Sequence, residues 1–325
     1  MEKLPFRIYE GDSLLTVPLD GTKALIESIL YENDLVMLIA EDKMGKTVLS
    51  TQMACNLTSG TPFLEIFETP RPLKVWYFAH EGKDAVLIER LIRTQNKVPF
   101  DQNNFKMFCG AKFRWNDKFY EGVLPALKEQ YADCLPEVIF IDPLYAALEG
   151  DLISNVPVKA FIHEVRVFAE DCGAAVVLVH HMKKKQRDEK GKSFKRDDSD
   201  AYGSAVMKWA VDHVFWLDNY RDSKPEDKER WLKCTTQRGG NIADGIHIKM
   251  HEPDPLYFFA VDRHKQHYHM IITLLKSKFD GMNATELSKK SKLSKTTTYV
   301  VLSELLELGD IERFAGRTGY YRVAK

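Results

Sequence analysis

Residues 35–57 read LVMLIAEDKMGKTVLSTQMACNL, and no other stretch restricts the fold so tightly. Leu35 to Ile39 is a short apolar run of the kind that a parallel sheet buries on both faces. Ala40 to Thr47 then spells A-x-x-x-x-G-K-T, and from Val48 onward the pattern is helical. Strand, small-residue loop, lysine, hydroxyl and helix together make a phosphate cradle, because loop N–H groups and the positive end of a helix dipole point at phosphate oxygens. The residues expected around a nucleotide are therefore Ala40, Glu41, Asp42, Lys43, Met44, Gly45, Lys46, Thr47 and Val48. In that geometry Lys46 reaches the β- and γ-phosphates of ATP and the Thr47 hydroxyl holds Mg²⁺. Ala40 stands where a glycine is usual, and Glu41 and Asp42 add negative charge beside a polyanion. Both departures are tolerable when the two carboxylates face solvent.

Three further apolar runs end in polar residues. Leu73 to Ala79 leads into His80-Glu81-Gly82, Val138 to Ile141 delivers Asp142-Pro143, and Ala174 to Val179 ends in His180-His181. Open α/β sheets bind ligands just past the C-terminal ends of their strands. An acid at the second of these ends suits Mg²⁺, so Asp142 is the expected metal partner beside Thr47. Glu81 is placed to polarise a water against the γ-phosphate, and a polar group at the His180-His181 end can sense that phosphate. Beyond the histidines, Lys183 to Arg196 carries eight Lys/Arg and two acids without hydrophobic periodicity. A basic loop leaving a strand edge can grip nucleic-acid phosphates, which makes Lys183, Lys184, Lys185 and Arg187 candidate contacts to single-stranded DNA.

Between and around these runs, Thr22 to Tyr31 has helical spacing, as do Asp84 to Thr94 and Val158 to Glu170. Val214 to Leu217, Arg230 to Thr236, Gly245 to Met250 and Leu256 to Val261 follow as strands without helices between them, which predicts an antiparallel extension of the sheet. The character changes near residue 263. From His264 to the end there are eleven Lys/Arg against six Asp/Glu, a net +5, which leaves −6 on the rest of a chain whose total is −1. Gln266 to Lys278, a short helix opened by Asn283-Ala284-Thr285, and Lys295 to Leu308 capped by Ser294 read as three helices, and Ile311 to Val323 as a hairpin. Three helices and a β-ribbon make a winged helix-turn-helix, whose third helix offers Lys295, Thr296, Thr297, Thr298 and Tyr299 to a DNA groove or to a protein partner. The domains expected are residues 1–262 and 263–325.

At 44% hydrophobic and 29% charged residues, the 325-residue chain has an ordinary globular composition. Its five cysteines are scattered and never C-x-x-C, which argues for reduced thiols, no zinc site and a cytoplasmic setting. No signal peptide is visible, and no apolar run approaches the roughly 18 residues of a membrane span.

Taken together, the motifs resemble the RecA/DnaB-type ATPases, most closely the plasmid RepA-like hexameric replicative helicases, over about residues 20 to 250. The resemblance rests on A-x-x-x-x-G-K-T at 40–47, A-H-E at 79–81, IDP at 141–143, HHMK at 180–183 and Ala201-Tyr202-Gly203-Ser204-Ala205. It implies a RecA-like α/β core, with a mostly parallel sheet between helices, that binds ATP and Mg²⁺ and assembles as a homo-oligomer, a hexameric ring on single-stranded DNA. It also implies Lys46 and Thr47 on the nucleotide and metal, Glu81 as catalytic base, Asp142 as second-sphere Mg²⁺ acid and His180 as γ-phosphate sensor. A basic finger acting on the neighbouring subunit's site would be Arg238, although the family's preceding Lys is here Thr236 and its Arg-Gly-Ser reads Tyr202-Gly203-Ser204. The function expected is an ATP-driven helicase or loader. An ATP-switched DNA-binding regulator, or a slow ATP-binding structural oligomer, fits the same motifs.

Overall fold

In the computed structural model, the described residues are 23–110, 113–181, 207, 210–220, 225–236, 245–261, 271–272, 274–276, 278, 281–291, 293–307, 310–314 and 318–323. They fall into two compact units divided between residues 259 and 260.

The first unit is built on a nine-stranded sheet. Its parallel part joins β3 (Leu35–Ala40), β4 (Val75–Ala79), β5 (Phe105–Cys109), β6 (Val138–Asp142), β7 (Ala175–His181) and β8 (His213–Asn219). The antiparallel extension is β9 (Glu229–Thr236), β10 (Ile246–His251) and β11 (Tyr257–Ala260), and the spatial order is β11-β10-β9-β8-β3-β7-β6-β4-β5. Strands β3, β4 and β6 are buried along their whole length, as continuous apolar runs in a sheet covered on both faces must be. The helices are α1 (Lys46–Ser59), α2 (Asp84–Gln95), α3 (Leu124–Gln130), α4 (Leu144–Ala147) and α5 (Asn155–Cys172). One core gathers Trp76, Phe78, Trp115, Phe119, Phe161 and Phe168 between sheet and helices. Trp115 and Phe119 stack there with ring centroids 4.6 Å apart.

Two local expectations differ from the structure. Thr22 to Tyr31 is not a helix: β1 (Ala24–Ile26) and β2 (Leu30–Tyr31) form a small antiparallel hairpin, with Ser28 in the left-handed region at φ 61°. Leu25, Ile26, Ile29 and Leu30 are all buried, and over so few residues the same spacing serves either a helix or a tight hairpin. The edge strand β5 is an addition to the expected set, because its FKMFC is short and only partly buried and carries no clear period.

In the second unit, residues 271–272 and 274–276 are helical, followed by β12 (Met282–Asn283), α6 (Ala284–Ser291), α7 (Lys295–Glu307), β13 (Ile311–Arg313) and β14 (Tyr320–Val323). The three strands pair in the order β12-β14-β13, a wing with one strand more than the expected hairpin. Asn283 Oδ1 accepts from Glu286 N at 2.9 Å and Ser294 Oγ from Thr297 N at 3.0 Å, so each helix begins with its own side-chain cap. Ile271, Leu275, Leu287, Val301, Leu302 and Leu305 form a separate small core. Among the described residues, no helix is long and apolar enough to cross a membrane.

Candidate nucleotide site

Parallel strands bring their C-terminal ends to one edge, and the registers fix the level: Ala40 lies opposite His181 on β7, and Ala79 opposite Asp142 on β6. A cavity of about 470 Å³ opens at that edge, with Gly45, Lys46, Thr47, Glu81, Asp142 and His181 in its lining. Helix α1 starts at its floor. Gly45 precedes it with φ 97°, and an added Cβ would stand 2.8 Å from the Phe258 ring, so both backbone and space call for glycine. No side chain caps α1, which leaves its first N–H groups directed at the cavity mouth.

Lys46 is buried, and its Nζ donates to the carbonyls of Ala40 at 3.0 Å and Glu41 at 2.9 Å. Burial lowers its pKa, against the charges of Asp42, Asp142, Glu81 and Glu41 that raise it. The Thr47 and Tyr77 hydroxyls both donate to Asp142, the latter at 2.6 Å, while Ser50 Oγ and Tyr77 Oη bond each other at 2.8 Å. Burial pushes the Asp142 carboxyl up, and those donors with Lys46 pull it back. These residues fit Mg²⁺ and a nucleotide: a hydroxyl and an acid side by side, an ammonium held by two replaceable carbonyls, and uncapped N–H donors. A magnesium ion bound there would draw phosphate charge toward Thr47 and Asp142. Of the remaining loop residues, Ala40 and Met44 are buried, Glu41 and Val48 are half-buried, and Asp42 and Lys43 are exposed.

The tip of β7 differs from the sequence expectation. His180 is fully buried opposite Ile39 and is absent from the cavity lining, while His181 stands in it. Alternation along a strand allows only one of two neighbours to face the site, and register against β3 decides which. His181 Nδ1 lies 2.6 Å from Asp42 Oδ1 and 3.3 Å from Lys46 Nζ. A ring nitrogen cannot donate and accept at once, so the shorter contact identifies Nδ1–H donating to Asp42. Asp42 therefore faces solvent on one side and His181 on the other. Glu81 is exposed at the rim and accepts from Tyr145 Oη at 2.7 Å. Its neighbour His80 points into the protein, where Nε2 accepts from Trp115 Nε1 at 3.0 Å.

Sequence reasoning missed a second layer that comes from the antiparallel extension. Gln52 on α1 exchanges two hydrogen bonds with the backbone of Phe258, at 2.7 and 2.6 Å. Arg230 on β9 is buried and donates through Nε to the Met44 carbonyl at 3.3 Å, so the phosphate loop is braced from the far strands. Arg90, Arg93 and Lys228 add positive charge to the cavity lining.

Of the expected nucleic-acid contacts, Lys183, Lys184, Lys185 and Arg187 lie outside the described residues, as do Tyr202 and Arg238. On α7, Lys295 and Tyr299 are exposed, the latter by 56%. The Thr297 hydroxyl instead lies 2.8 Å from the capping Ser294 hydroxyl, and Thr298 is buried.

Residues 270–325 match the sequence profile of the sugar-specific transcriptional regulator TrmB. No curated protein matches the chain. One solved ATPase domain superposes with a TM-score of 0.50 at 15% identity, over 68% of this chain and 82% of that one. "The Structure Of A DnaB-Like Replicative Helicase And Its Interactions With Primase" gives 0.51 at 15% identity, over 70% of this chain and 59% of that one. Both likenesses concern the fold alone, a RecA-type α/β core. Residues 8–187, more than half the chain, match the AAA domain family, and with its phosphate loop, strand-end acids and sheet order accounted for, the chain belongs to that family.

Proposed function

We infer that this protein hydrolyses ATP to drive a ring-shaped motor or loader on single-stranded DNA, with its winged helix as a second DNA contact. The observation that carries the reading is the convergence of Lys46, Thr47, Asp142, Glu81 and His181 on one cavity at the strand ends of a RecA-type sheet. In this reading Lys46 leaves the Ala40 and Glu41 carbonyls for the β- and γ-phosphates, and Thr47 and Asp142 hold the metal and its water. Glu81 takes the proton of the attacking water. His181 takes the sensing role expected of His180, because it touches Lys46 and Asp42. Arg238 supplies charge to a neighbour's site, and Lys183, Lys184, Lys185 and Arg187 grip the strand.

The match of residues 270–325 to a transcriptional regulator favours a second reading. There Lys295 and Tyr299 read a duplex site and ATP only controls assembly. A sequence-specific footprint mapped to the tail, without strand displacement, would select it.

Nucleotide binding and turnover of two variants test the chemistry. Lys46→Ala should lose ATP binding, because it removes a direct phosphate contact. Glu81→Gln should bind ATP normally and lose hydrolysis by about 10²-fold or more, because it acts only on water. Hydrolysis by Glu81→Gln at the parent rate would place the base elsewhere.

A further inference from the structure

Tyr145 belongs to no phosphate-binding motif, yet it touches two of the strand-end groups, Glu81 and His181. It is the second residue of α4, which begins two residues after Asp142. The pairing of β4 with β6 puts Ala79 opposite Asp142, so the segments leaving the two strands, one with Glu81 and one with Tyr145, run side by side. Across that gap Tyr145 Oη donates to Glu81 Oε2 at 2.7 Å. The Tyr145 ring centroid lies 5.3 Å from that of His181, tilted by 59°. His181 in turn contacts Asp42 and Lys46. Burial of the ring and the nearby Glu81 carboxylate raise the phenol pKa, which keeps Oη a donor throughout the working pH range.

A general base that ends on an exposed, rotatable side chain needs a fixed direction. Glu81 has two carboxylate oxygens; a donor on one of them restricts the rotamer and leaves the other to accept from water. The same phenol ring rests on the histidine nearest the phosphate end of the cavity. We propose that Tyr145 is a positioning residue for hydrolysis, its hydroxyl orienting Glu81 toward the attacking water and its ring registering that carboxylate against His181. The role rests on Glu81 being the base, and it extends that reading to a residue outside the motifs.

The test uses the full chain with ATP, Mg²⁺ and single-stranded DNA, and compares Tyr145→Phe, Glu81→Gln and the double variant. Affinity is read with a fluorescent ATP analogue, hydrolysis by phosphate release, and folding by the thermal midpoint. Tyr145→Phe keeps the ring and loses only the hydroxyl. It should bind the analogue within about twofold of the parent, melt at the same temperature and hydrolyse about tenfold more slowly, the value of one hydrogen bond to a charged group. On the Glu81→Gln background the same change should cost nothing further, because the group it orients is gone. Parent-rate hydrolysis by Tyr145→Phe beside an inactive Glu81→Gln overturns the role of Tyr145 and leaves Glu81 as base. A loss of that size that persists on the Glu81→Gln background also overturns it, because the phenol then acts through another group. If Glu81→Gln itself turns over normally, the assignment of the base fails and this proposal fails with it.

Discussion

At the scale of single residues, His80 shows how a strand end can serve the interior instead of the ligand. Its imidazole sits 4.4 Å from the Phe113 ring and accepts the Trp115 indole N–H, so it is held neutral. Burial, then the charge of Arg114, pushes its pKa down from 6.5 to about 4. Between those values the unfolded chain binds the proton and the folded chain does not, so stability falls as pH drops through this window. The full loss, from the 2.5-unit difference, is about 3 kcal/mol. Urea midpoints at pH 7 and pH 4.5 should differ less for His80→Gln, which keeps an acceptor for Trp115 but cannot titrate; an equal pH dependence in both proteins would contradict this. The phosphate loop can be read directly from sequence because its geometry is set by eight contiguous residues. The choice of His181 over His180 cannot, because it depends on pairing with β3, and Tyr145 follows its strand with no pattern of its own.

Among elements, the relation that matters most is between α1 and the antiparallel arm formed by β9, β10 and β11. Helix α1 is buried on nearly all sides, which requires a cover opposite the sheet, and Phe258 with Met250 provides it over Gly45. Gln52 locks that cover through two hydrogen bonds to a residue 206 positions away. Gln52→Leu would leave the Phe258 N–H and carbonyl buried without partners, at a cost of about 2 kcal/mol or more. The prediction is a lower urea midpoint with an unchanged slope, and a loss under about 0.5 kcal/mol would mean that the arm is held elsewhere. Hydrophobic pattern alone predicts the arm's strands and their antiparallel run. It does not predict that they brace the phosphate loop, because that contact joins distant parts of the sequence and leaves no local period. The small hairpin of β1 and β2 reads as a helix for the related reason that its apolar pairs fit two periods equally well.

For the whole molecule, the combination of a RecA-type core with a basic winged-helix unit is what turns phosphate chemistry into a claim about DNA. At the strand ends Lys46 holds the Ala40 and Glu41 carbonyls, His181 contacts Asp42, and Tyr145 donates to Glu81; in the proposed function nucleotide binding changes these contacts together. Work on a polymer requires those changes to be coupled to movement along it, and a nucleotide-controlled regulator requires only that they change assembly. Sequence shows a shift of charge and periodicity near residue 263, but not which of these uses the coupling serves. Strand displacement on a forked DNA duplex separates them most directly. The full chain with ATP and Mg²⁺ should release the labelled strand, and Lys46→Ala, assembled to the same particle mass, should release none. Hydrolysis of ATP by the parent protein without strand release above the Lys46→Ala level, on forks of either polarity, would contradict the motor reading.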